Sequence, residues 1–198
     1  GFYPYEFIIE NVLVRNAYTG FNDVSASYMS AMRQLRAHYC RIGFLKTNGT
    51  TMHYDNCFSS FCKKGWSITG TYNPVLTACA NDNTTQDGTY PFVVEFINCA
   101  GGPIINGFDH EANTISGAFS AFMKFDNCDG FSFSGMKGLN NVYATGASEN
   151  YGVQLVNNAR GMLKGIVLGV SNSDTSTGTG SAQKKNGWGG TWALLMDT

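Results

Sequence analysis

Short stretches of alternating apolar and polar residues recur along the chain, such as "FVVEF" (92–96), "MKFDN" (123–127) and "FSFSG" (131–135). Asn, Gly, Asp and Ser break them up. Alternation over four to six residues, bounded by turn formers, predicts short β-strands. The stretch "YMSAMRQLRAHY" (28–39) has the best helical period, but the Cys40–Gly43 segment that follows aligns with Cys62–Gly65 in a neighbouring repeat. Strands are therefore expected there as well.

The pattern repeats in whole units. "GFLKTNGTTMHYDNC" (43–57) lies without gaps on "GWSITGTYNPVLTAC" (65–79), matching Gly43 with Gly65, Phe44 with Trp66, Thr47 with Thr69 and Cys57 with Cys79. Carried forward, Ile68, Phe96, Phe125 and Leu155 share one apolar position. Leu76, Phe133 and Leu163 share another, which Ile104 or Ile105 takes in the unit between them. Ala78, Gly107, Gly135 and Gly165 close the unit. Gly20, Gly43 and Gly65 head successive units, and later heads fall near Val93, Phe122 and Gly152. A period of about 22 to 30 residues, with three short strands and Gly/Asn corners per period, predicts an all-β, right-handed parallel β-helix. It should span residues 1–170, with 171–198 a Ser/Thr/Gly-rich loop and an apolar C-terminal capping segment.

Composition narrows the partners. Only 14% of residues are charged and the formal net charge is −1, so no basic field is expected to hold nucleic acid or an anionic membrane. No apolar run approaches the ~18 residues of a spanning helix, so no membrane insertion is expected. The sequence opens on Gly1 and not Met, so the chain is expected to start at a processed or cut end with no signal peptide. Its six cysteines align as Cys40 with Cys62, Cys57 with Cys79 and Cys99 with Cys128. Equivalent places in neighbouring units predict buried free thiols serving as small hydrophobes. No Cys-x-x-Cys or paired-His spacing occurs, so neither a metal site nor a cofactor is expected.

The later units are longer, and the surplus falls in "ANDNTTQDGTY" (80–90), "FDHEANTISGAF" (108–119) and "KGLNNVYATGASEN" (137–150). In stacked repeats, insertions at one corner project from one face, often the binding face. The repeat frame also predicts a column of His38, Ser60, Asp82 and Glu111. Carboxylates one strand spacing apart, ~5 Å, raise one another's pKa. That suits one acid and one ionised partner, and retaining glycosidases use a separation of ~5–5.5 Å. Asp82 and Glu111, with Asp109 beside them, are the candidate catalytic carboxylates. Acidic residues at surface corners also serve simply as turn formers. Elimination from a uronate is a second chemistry, with His38 and Tyr39 as base candidates and Arg36 as the neutralising cation. Tyr90, Phe108 and Tyr143, with His110 and Glu149, are the candidate sugar contacts in the inserted segments.

The segments "VLTACANDN", "YPFVVEFINCAGGPIINGFDHEAN" and "AFMKFDNCDGFSFSG" resemble coils of phage tailspikes and capsule depolymerases with a pectate-lyase-like β-helix. The shared pattern is an aromatic strand, Asn-Cys or Gly-Cys, a short apolar strand, then Gly-x-x-x-Glu, here Gly107 to Glu111. The resemblance covers roughly residues 28–166. It implies a homotrimer on a phage tail, part of the virion, that binds bacterial surface polysaccharide (capsule or O-antigen) and often cuts it, more readily as a glycosidase than as a lyase. A non-catalytic receptor-binding or structural segment of a tail fibre is the alternative. The particle-binding and trimerisation domains of such proteins have no counterpart here, so the chain is expected to be part of a longer one.

Overall fold

Most of the short strands stop where one residue turns the backbone into the left-handed region, as at Asn11, Asn16, Gln34 and Tyr39. A computed structural model describes residues 6–85, 90–115, 120–139, 142–143, 150–168 and 192–196. Among the described residues the regular structure is entirely β. The first unit holds β1 (Ile8–Glu10), β2 (Leu13–Arg15) and β3 (Thr19–Asp23). The second holds β4 (Ala31–Arg33), β5 (Arg36–His38) and β6 (Ile42–Thr47), and the third β7 (His53–Asp55), β8 (Phe58–Ser60) and β9 (Lys64–Thr69). Then come β10 (Val75–Asp82) and β11 (Phe92–Ile97), followed by β12 (Ile104–Glu111), β13 (Thr114–Ile115) and β14 (Ser120–Asp126). The last strands are β15 (Asp129–Leu139), β16 (Val142–Tyr143), β17 (Asn150–Val156), β18 (Arg160–Leu168) and β19 (Trp192–Met196).

Every pairing among these strands is parallel and joins a residue to its equivalent in the next unit. Ile8 pairs with Ala31, Ala31 with His53, His53 with Val75, Val75 with Ile104, and Ile104 with Ser132. One sheet runs β1-β4-β7-β10-β12-β15-β18, with β2, β5 and β8 joining it alongside the second half of β10. A second runs β3-β6-β9-β11-β14-β17-β19, and β13 pairs with β16. The strand Trp192–Met196, from the segment expected as a cap, lies parallel on β17 with Trp192 opposite Tyr151.

The corners are columns too. Asn11, Gln34, Asn56 and Ala78 have φ between 49° and 57°, and the same column continues as Gly107, Gly135 and Gly165. Glycine carries no steric penalty there, and Asn tolerates it. Stacking also satisfies the corner amides. Asn11 N–H donates to Arg33 O at 3.1 Å, Gln34 to Asp55 O at 2.9 Å and Asn56 to Thr77 O at 2.9 Å. A unit alone would leave these donors without partners. Gly43 has a different reason: a Cβ there would lie 2.6 Å from Gly65 O and 2.7 Å from Ser59 Cβ.

Side chains that alternate inward build the core as ladders. Ile68, Phe96, Phe125 and Leu155 stack in register, and so do Leu76, Ile105, Phe133 and Leu163, which settles the fifth unit on Ile105. Phe21, Phe44 and Trp66 stack at centroid distances of 5.0 and 4.0 Å, each contact worth roughly 0.5–1.5 kcal/mol beyond area burial. The ladder of Ile68 does not stay apolar toward the N-terminal end. Asp23 and Lys46 occupy it in the first two units, paired at 2.9 Å and buried.

All six cysteines are free and buried. Each directly follows a left-handed corner residue: Tyr39, Asn56, Phe61, Ala78, Asn98 or Asn127. Each thiol donates to the carbonyl two residues before it, as Cys62 does to Ser60 and Cys128 to Asp126, both at 3.4 Å. The cysteine thus caps the corner from inside. Burial pushes the Cys62 thiol up to about 12 and raises that of Cys79, which leaves them protonated and unreactive.

Candidate functional site

A second corner column gathers the candidate chemistry. Asn16, Tyr39, Phe61, Asn83 and Ala112 occupy it, all with φ between 50° and 56°. The residues just before it form the outward column Arg15, His38, Ser60, Asp82 and Glu111, each in register with the next. In the first three units the turn is tight, with three residues between strands at 16–18, 39–41 and 61–63. From the fourth unit onward the extra length enters here, between Asp82 and Phe92 and at the equivalent places later. The segments 80–82 and 108–111, expected as loop, are strand. The insertion corner therefore lies just beyond the carboxylates, not before them.

Asp82 and Glu111 stand on consecutive strands, partly accessible, at the ~4.8 Å spacing of a sheet. Asn83 ties them together. Its Nδ2 donates to Asp82 Oδ1 at 2.6 Å, and its backbone N–H donates to Glu111 O at 3.0 Å. Asp109 is exposed, in register with Ala80 and Lys137, and these three residues line one shallow depression.

Strand alternation separates the remaining candidates. If Asp109 and Glu111 face outward, Phe108 and His110 must face inward. Both are buried, with ring centroids 5.1 Å apart, and His110 Nδ1 lies 3.4 Å from Asn113 Nδ2. Burial holds the His110 imidazole down to about 3. These two residues are core, which corrects their expected role as sugar contacts. Tyr90 reaches back over earlier units instead of projecting. Its ring lies 5.5 Å from the Arg41 guanidinium and 5.2 Å from Lys64 Nζ, and a hydrogen bond with Tyr18 raises its phenol. Tyr143 sits in β16, opposite Ile115. Glu149 falls outside the described residues.

The alternative set lies at the head of the same column. Burial, then the charges of Arg15 and Arg36, hold the His38 imidazole below its ordinary value. Among the described residues its buried Nε2 has no hydrogen-bond partner. The Arg36 guanidinium lies 5.4 Å from the Phe58 ring centroid. Tyr39 is exposed and stacks on Phe61 at 4.8 Å with the planes 14° apart. Sequence offers Arg41 in the cluster with Arg36, His38 and Tyr39 and Phe61 among the aromatics that suit sugar stacking, but it favours the rings of the inserted segments; the Cys40–Cys62 alignment places Phe61 opposite Tyr39. Comparison with protein-family models, with curated proteins and with solved structures finds no match.

Proposed function

We propose that the stacked units form a right-handed, single-stranded parallel β-helix of the phage-tailspike type, which binds bacterial surface polysaccharide and cleaves it by hydrolysis. The observation that carries this reading is the registered pair Asp82 and Glu111, partly accessible and beside the corner where the units lengthen. Carboxyls on adjacent strands suit retaining hydrolysis, which needs ~5–5.5 Å between them. One protonates the glycosidic oxygen as the bond to the anomeric carbon breaks. The other attacks that carbon, and water later releases the sugar. Asp82→Asn and Glu111→Gln are each expected to abolish release of reducing ends from the bound polysaccharide while binding persists. Undiminished release by both variants would refute the assignment.

Binding without cleavage is the second reading. It is favoured by the exposed Tyr39–Phe61 stack on the same corner. An ultraviolet-absorbing unsaturated product would instead make the reaction an elimination, with His38 and Tyr39 as its base candidates and Arg36 as the neutralising cation.

A further inference from the structure

We infer that the Tyr39–Phe61 pair is a subsite for an anionic sugar unit, held by ring stacking and by the arginines around it. The inference rests on the polysaccharide-binding reading but not on catalysis.

Backbone strain is the first observation. Tyr39 and Phe61 have φ of 55° and 53°, a region that disfavours bulky side chains by roughly 1–2 kcal/mol. The same column is served elsewhere by Asn16, Asn83 and Ala112, so the corner does not require an aromatic ring. Packing does not explain the rings either: Tyr39 remains 56% exposed and Phe61 48%. Strain kept where about half of each ring still faces solvent, and where Asn serves the same corner elsewhere, points to a ligand.

The surroundings identify its chemistry. The two rings and Arg41 line an open depression of about 460 Å³. Arg15 and Arg36 lie near His38, one residue before Tyr39, and both act on its charge. Among the described residues Arg15, Arg36 and Arg41 form no ion pair. A sugar ring lays its C–H face on an aromatic plane, while a carboxylate, sulfate or phosphate on that sugar takes two guanidinium N–H donors.

The neighbouring carboxylates select among polyanions. Asp82 follows Phe61 on the next strand, its carbonyl accepting the Phe61 N–H at 3.1 Å, and Glu111 lies one strand beyond. A single-stranded nucleic acid would bring a phosphate at every residue against them. A polysaccharide with one acidic sugar per repeat sets that sugar on the arginines and neutral sugars beside the carboxylates.

The test is an array of acidic and neutral bacterial surface polysaccharides, with carboxyl-reduced copies of the acidic ones and a single-stranded DNA control. The chain is expected to bind acidic members and to lose the carboxylated ones on carboxyl reduction; binding kept after reduction only by sulfated or phosphorylated members would name those groups instead. Tyr39→Asn, Phe61→Asn and Arg36→Gln should each weaken binding about tenfold, about 1.4 kcal/mol. The two Asn variants carry the residue this column already uses, so they should melt at the same temperature or higher, which a merely structural stack would not allow. Equal binding of neutral polysaccharides overturns the subsite and leaves the polysaccharide reading standing. Binding to no polysaccharide overturns both. Capture of DNA in preference, or unchanged binding by the Asn variants, overturns the subsite.

Discussion

At the scale of residues, two inward-facing groups set how the protein responds to acid. His110 is buried and neutral, its imidazole held to about 3 by burial. Below its ordinary value near 6.5 the unfolded chain takes up a proton that the folded chain refuses, so stability falls with decreasing pH. The slope should reach about 1.4 kcal/mol per pH unit between roughly pH 6.5 and 3. His110→Asn, which matches the neighbouring inward Asn81, should flatten that stretch in urea titrations across pH; an unchanged slope would exclude His110 as its source. Asp23 adds a lower step. Burial opposes its ionisation, but hydrogen bonds from Ser25, Lys46 and Ser27 prevail and hold its carboxyl below the usual range. Its contribution is complete above about pH 4 and is lost as pH falls through the folded value. Lys46→Ile alone leaves Asp23 buried without its cation and should cost about 3–5 kcal/mol. Adding Asp23→Val should recover most of that loss, because the equivalent position is Ile68 in the third unit and Phe96 in the fourth. Failure of the double variant to recover, by equilibrium denaturation, would mean the pair does more than fill the ladder.

At the scale of elements, the left-handed corners end the shorter strands and bend the longer ones from within, as Ala78 does inside β10. Ala78 sits with φ 49° in a column that continues as Gly107, Gly135 and Gly165. Ala78→Gly should therefore stabilise by about 1 kcal/mol, since glycine bears no penalty in this region. A lower melting temperature would show that the Ala78 methyl packs usefully. The corners also explain the cysteines, which follow left-handed residues and cap them from within. Thiol titration of the denatured, unreduced chain should count six, and the native chain should react slowly. The ladders and the thiol pairs were legible because parallel stacking without gaps converts repeat alignment directly into register. The orientation of Phe108 and His110 was legible as well, from the period of two that runs through Asp109 and Glu111. Reading 108–119 as loop hid it.

At the scale of the whole molecule, strand pairing joins each unit only to its neighbours, so stability should be graded along the stack. In the first unit β1 and β2 have three residues each and leave Ile8 and Leu13 exposed, with Val12 between them, while units three to five enclose Trp66, Phe96 and Phe125 fully. Native-state hydrogen exchange is expected to show the least protection in β1 and β2 and the greatest in β9, β11 and β14. Uniform protection would mean the units unfold as one block. Apolar side chains on the outward face, among them Ile8, Ile104 and Met162, fit the proposal that chains associate as trimers. Light scattering should then give three chain masses, and a monomer at high concentration would refute the proposal.

Sequence by itself determined the repeat, its strands, the inward ladders, the thiol pairs and the outward column from His38 to Glu111. All of these follow from residue patterns that recur in order from unit to unit, which a linear alignment preserves even where the units lengthen. Tertiary structure alone decided that Tyr90 lies back over Arg41 and Lys64, that Lys46 turns inward to meet Asp23, and that Tyr39 and Phe61 stack face to face at the corner. Those contacts depend on where a side chain points after the backbone has turned a corner. The corner residue makes the turn, but stacking against the next unit decides what the side chains beyond it meet.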